Sequence, residues 1–158
     1  MALGVHGDAQ VRGAYRRVLA AGQAVPGAGV DGVLVTPMRP GGVELLVGVT
    51  VDRTFGPVLA VGLGGVWVEL LADTSLHVLP VTTDDVKHML GELRGSPLLH
   101  GARGTRPADL DVLARVITNV ADAAIALDGS LRTLEINPLW VNGDQIEALD
   151  VLVVTNGS

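Results

Sequence analysis

The stretch Leu131-Arg132-Thr133-Leu134-Glu135-Ile136-Asn137-Pro138-Leu139-Trp140-Val141, followed by Asn142-Gly143 and then by Gln145 to Val154, decides how this chain is read. Asn-Gly between two apolar runs is the strongest short-range signal for a β-hairpin. It predicts strands over Ser130–Val141 and Gln145–Val154. Side chains alternate between the faces of a strand, so Glu135 and Asn137 share one face while Leu134 and Ile136 point to the core. A two-residue turn at Asn142-Gly143 sets Glu135 opposite Asp150, whereas a four-residue loop sets Asn137 opposite Asp150. Either register gathers all three side chains on one face within about 5–8 Å; only an odd-length loop separates them. Two carboxylates and an amide oxygen form a hard oxygen set of the kind Mg²⁺ takes together with substrate phosphates. The same residues are also ordinary on a solvated strand face, and spacing alone does not choose.

Upstream of the hairpin, Asp109 to Leu127 is the clearest helix. Leu110, Leu113, Val116, Ile117, Val120, Ala123, Ala124 and Leu127 recur at helical spacing, and Asp128-Gly129 closes it. A helix over about 9–24, capped by Asp8, opens the chain and stops before Pro26-Gly27. Gly32–Thr36 reads as a buried strand ended by Pro37. Val43–Val51 and Val58–Leu63 flank a hairpin connection, and Gly64-Gly65 breaks the chain before a strand at Val66–Leu71. A short strand over Leu76–Val81, a helix over about 85–93 and a loop rich in Gly complete the order. Sequential strands, then helices, then a hairpin predict an α+β domain with a largely antiparallel sheet packed with helices.

Composition narrows the function. With 158 residues the chain suits one ordinary core, and 48% hydrophobic residues make it a folding sequence. Only 3% are aromatic and net charge is −6, which disfavours nucleic acid as a partner. Without cysteine there is no disulfide and no thiolate metal site. The N-terminus lacks the pattern of a signal peptide, and the apolar runs are strand-length and broken by Gly, so no membrane span is expected and a cytoplasmic location is the default.

Glu-Ile-Asn-Pro-Leu at 135–139 with Leu149-Asp150 on the next strand resembles the ending of the ATP-grasp fold in ADP-forming acyl-CoA synthetases and succinyl-CoA synthetase beta subunits. The acyl-CoA-synthetase-like part of large protein acetyltransferases is similar. GVLVTPM at 32–38, GGVELLVGVTVD at 41–52, FGPVLAVGLGGVWVELLAD at 55–73 and LLHGARG at 98–104 agree in order, so the resemblance covers nearly the whole chain. It implies the carboxyl-terminal ATP-grasp lobe over 38–158, with 1–37 as a helix and hinge strand from the end of the first lobe. It further implies Mg²⁺ ligands at Asn137 and Asp150, with Glu135 near the phosphorylated histidine during phosphoryl transfer. ATP or ADP would place its adenine at the hinge residues Val35, Thr36 and Met38; the family more often has Gln at position 36. Glu44 matches an acidic position on the strand after the hinge.

Gly62-Leu63-Gly64-Gly65 is neither a P-loop nor a dinucleotide fingerprint, since no Gly-Lys-Ser/Thr follows and Trp67 stands where the third Gly would be. Its amides can hold phosphate, or the glycines can serve a tight bend in the sheet; in the family this loop borders the transfer site. His77 stands where the family has Arg. The lysine that the first lobe supplies to the phosphates has no match, since Lys87, the single lysine, falls on a helix. The CoA-binding and phosphohistidine domains are also absent. The expectation is a piece of a larger enzyme that binds nucleotide weakly, catalyses nothing alone, exposes apolar surface and is prone to self-association.

Overall fold

The computed structural model describes residues 1–64 and 73–156, except the side chain of Asp128. The expected strand at Val66–Leu71, and with it Gly65, lies outside the described residues. Met1–Pro40 and Gly41–Ser158 form two compact units.

The first unit holds helix α1 (Gly7–Gln23), whose N-cap is His6 rather than Asp8. Asp8 sits inside the first turn, where a negative charge suits the helix dipole, and its carboxylate pairs with Arg12 one turn on at 2.9 Å. The expected buried strand at Gly32–Thr36 is corrected. These residues have no regular structure, and Leu34 and Val35 are 86% and 69% exposed. A short run of apolar, β-branched residues reads as a core strand, but it becomes one only where a neighbour offers a ladder.

The second unit is an antiparallel sheet with helices packed on one face. Its strands are β1 (Val43–Asp52), β2 (Gly56–Leu63), β3 (Thr74–Val78), β4 (Leu131–Asn142), β5 (Gln145–Ala148) and β6 (Val151–Thr155). Their order is β3-β2-β1-β4-β5, with β6 pairing β4 beyond β5. The β1–β2 hairpin turns at Asp52, whose Oδ1 accepts from the Phe55 and Thr54 amides and whose carboxyl is thereby held below its ordinary range. The helices are α2 (Thr83–Glu92), the short α3 (Ser96–Leu99) and α4 (Leu110–Ala126). Thr82 and Asp85 form a reciprocal capping box on α2, and Asp109 caps α4 by accepting from the Asp111 and Val112 amides.

The core lies between sheet and helices. Leu45, Val47, Val49, Leu59 and Val61 from the sheet, and Val86, Met89, Leu113 and Ile117 from the helices, are at 0% exposure. Each such side chain contributes about 1.5–3 kcal/mol by leaving water. Lys87 bridges the helical layer, donating to Asp111 at 2.6 Å with Asp84 at 3.7 Å. That hydrogen bond raises the lysine and lowers the Asp111 carboxyl. Alternation puts Glu44, Leu46, Gly48 and Thr50 of β1, and Val58, Ala60 and Gly62 of β2, on the face away from the helices.

Candidate functional site on the helix-free face of the sheet

Strand β4 carries a bulge at the centre of that face. Leu45 pairs Leu139 and Val47 pairs Ile136, so Leu46 stands against two residues, Asn137 and Pro138. The extra residue switches the side of β4 that faces the core. Leu134 and Ile136 are buried before it, Leu139 and Val141 after it. Glu135 and Asn137 on one side of the bulge and Trp140 on the other are thereby all turned away from the helices. Perfect alternation would have put Leu139 and Val141 beside Glu135 and Asn137.

The returning strand follows the same irregularity. Asn142 pairs Gln145, so the turn has two residues, Gly143 and Asp144. Gly143 has φ 69°, as a hairpin turn with Gly at its first central position requires. The two-residue turn falls one residue later than Asn142-Gly143, and the register is the one that the four-residue alternative gave, with Asn137 rather than Glu135 opposite Asp150. The expected single strand at Gln145–Val154 is divided at Leu149-Asp150, opposite the bulge. Pairing is kept there by Asn137 N–H donating to Asp150 O at 3.1 Å and Leu149 N–H donating to Pro138 O at 3.0 Å.

Asn137 donates through Nδ2 to Glu135 Oε1 at 3.2 Å, which leaves its carbonyl oxygen as a free acceptor. Asn137 and Asp150 are exposed and Glu135 is half-buried. Among the described residues no three His, Cys, Asp or Glu side chains converge as a metal cage. What the ladder brings together is the Glu135 carboxylate, hydrogen-bonded to Asn137, and Asp150, paired with Asn137 through its backbone, an oxygen-only set. That chemistry fits a cation that keeps water or phosphate oxygens as its other ligands, as Mg²⁺ does.

Glu44 is exposed on the same face and pairs Trp140 across the ladder. Trp140 is 5% exposed, and its indole N–H donates to Gly41 O at 2.8 Å. A Cβ on Gly42 would lie 2.6 Å from that nitrogen, so the Gly-Gly turn is what lets the chain close over the indole. Sequence reasoning missed this support, because Gly41-Gly42 and Trp140 lie far apart in the chain. At the end of β2, Gly64 N–H donates to Glu44 O at 2.6 Å and Leu63 N–H to Asp73 O at 3.3 Å. These two amides are therefore engaged within the sheet. A Cβ on Gly64 would stand 2.9 Å from the carbonyl carbon and oxygen of Glu44, and one on Gly62 would stand 2.8 Å from Asp73 O. Close backbone approach accounts for both glycines.

Val35, Thr36 and Met38 belong to the first unit and are exposed. His77 pairs Leu59 and so faces the helices, half-buried.

The second unit is thus an α+β lobe whose sheet is packed with helices on one side and carries an acidic strand break on the other. A model of the ATP-grasp domain matches residues 1–155. The chain is 35% identical over 153 residues to the beta subunit of ADP-forming acetate–CoA ligase I from Pyrococcus furiosus, covering 96% of this chain and 66% of that one. A crystal structure from Pyrococcus horikoshii Ot3 superposes with a TM-score of 0.88 at 29% identity, covering 99% of this chain and 67% of that one. The dinucleotide-forming acetyl-coenzyme A synthetase 1 of Ca. Korarchaeum cryptofilum, solved with coenzyme A and Mg-AMPPCP, superposes with a TM-score of 0.81 at 28% identity, covering 98% and 67%. The chain belongs to the ATP-grasp family, and the relatives it matches are ADP-forming acyl-CoA synthetases. It spans about two thirds of the length of these relatives.

Proposed function

We propose that this chain is the nucleotide- and Mg²⁺-binding part of an ADP-forming acyl-CoA synthetase. Such an enzyme interconverts acyl-CoA, ADP and phosphate with acid, CoA and ATP by way of an acyl phosphate and a phosphohistidine. The observation that carries the proposal is Asn137 facing Asp150 across the ladder, with Glu135 hydrogen-bonded beside them on the helix-free face. Asn137 and Asp150 would hold Mg²⁺, which when bound neutralises charge on the nucleotide phosphates. In this reading Glu135 acts near the phosphohistidine. Glu44, Gly62 and Gly64 border the nucleotide, while Val35, Thr36, Met38 and Gly65 are candidate nucleotide contacts carried from the resemblance alone. The relative solved with Mg-AMPPCP supports the choice of ligand. The CoA-binding and phosphohistidine parts belong to partner domains or a partner subunit. Alone, the chain binds nucleotide weakly, because phosphoryl transfer needs several charged groups at once.

One observation favours a second reading, in which the fold serves as a non-catalytic regulatory or dimerisation module, as in the ATP-grasp-like part of a protein lysine acetyltransferase. The one lysine in these 158 residues, Lys87, is held in the helical layer by Asp111. Titration calorimetry with ATP and Mg²⁺ on the wild type and Asp150→Ala separates the two. Magnesium-dependent heat lost in the variant supports the synthetase reading; no heat from the wild type at millimolar nucleotide supports the module.

A further inference from the structure

Asp73 is a carboxylate only 7% exposed that the site described above does not use. Its oxygens accept from the Arg94 amide at 2.8 Å and the Gly95 amide at 2.9 Å, where the chain leaves α2. A buried carboxylate is costly unless its lone pairs are taken, and two backbone donors take them here. The backbone carbonyl of the same residue accepts from Leu63 N–H, and Gly62 lies so close that a Cβ there would be 2.8 Å from it. Gly95 in turn packs on Leu63, leaving no room for a Cβ beside its Cδ1. The end of β2, the start of β3 and the exit of α2 are thus joined through one residue. Gly64, one step beyond Leu63, donates to the carbonyl of Glu44.

From this we infer that Asp73 is a positioning residue. It fixes Leu63 and Gly64 against Glu44 and so sets the β2 border of the nucleotide-binding face. The inference rests on the reading above that Glu44 and the glycine bend border the nucleotide. Asn is the informative replacement. It keeps the volume and one carbonyl acceptor, but turns an NH₂ toward a backbone N–H that then has no partner.

The test is native-state hydrogen exchange on Asp73→Asn beside Thr82→Ala, which weakens α2 at its other end. Expected is exchange at the Leu63 and Gly64 amides faster by about 10-fold or more in Asp73→Asn, with those amides still protected in Thr82→Ala. Binding of Mg-ADP should weaken by about 10-fold in Asp73→Asn, while binding of Mn²⁺ alone, read by its paramagnetic resonance, is kept. Unchanged exchange at the two amides, or loss of the whole fold in Asp73→Asn, would overturn the positioning role. If wild type binds no Mg-ADP, the nucleotide reading falls and the exchange result still decides what Asp73 does.

Discussion

Asn137 is a small residue asked to do three things: pair its backbone with Asp150, hold Glu135 with its amide nitrogen, and leave its carbonyl oxygen outward. Leucine at 137 would keep the strand but remove both polar tasks. Asn137→Leu is expected to fold normally by circular dichroism while losing Mg²⁺-dependent nucleotide affinity by about 10-fold or more, measured by calorimetry. Gly64→Ala tests a different property. Its methyl would meet backbone atoms of Glu44 at 2.9 Å, which cannot rotate away. Overpacking of this kind costs about 1–3 kcal/mol, read as a lower urea midpoint.

At the scale of elements, α2 depends on its capping box. Thr82→Ala should destabilise the unit by about 1 kcal/mol at neutral pH, measured by urea unfolding. Asp85 is held below its ordinary range first by the Thr82 hydroxyl and then by the Thr82 amide. Asp111 is lowered by its hydrogen bond to Lys87. A carboxylate whose folded pKa is depressed contributes stability that is present above its unfolded pKa of about 4 and lost as pH falls through the folded value. The urea midpoint should therefore fall between about pH 5 and pH 2, and Thr82→Ala should flatten part of that fall. A wild-type midpoint that rises on acidification would contradict these assignments.

Element positions were legible where periodicity and turn chemistry agree, as in α4 with its apolar stripe and in the β4–β5 hairpin, whose turn falls one residue later than expected at Gly143-Asp144. What the residues around Asn137 did not reveal was the bulge. A strand pattern carries a period of two, and nothing in Leu-Glu-Ile-Asn-Pro-Leu-Trp announces that the core side changes between Ile136 and Leu139 except Pro138, which cannot donate to a ladder. The division of the last strand at Leu149-Asp150 is the same event seen from the partner strand. Gly32–Thr36 differs for the opposite reason, since its local composition favours a strand and no strand among the described residues pairs with it.

For the whole molecule, one core unites the sheet with α2, α3 and α4, so a cavity at its centre should be felt throughout the second unit. Leu113→Ala, at a side chain with 0% exposure, is expected to cost about 2–5 kcal/mol, read as a lower unfolding midpoint. The sheet face away from that core is where the proposed chemistry lies. Apolar side chains are exposed on the outer strands, at Leu76 and Val78 on β3 and at Val151, Leu152 and Val153 on β6. No helix among the described residues is long and apolar enough to cross a membrane. The most direct measurement is calorimetric titration of ADP into the protein with and without Mg²⁺, repeated on Asp150→Asn. Millimolar or tighter binding that requires Mg²⁺ and weakens at least about 10-fold in the variant is the predicted result. Equal affinity in both proteins, or binding indifferent to Mg²⁺, would contradict a cation held between residues 137 and 150.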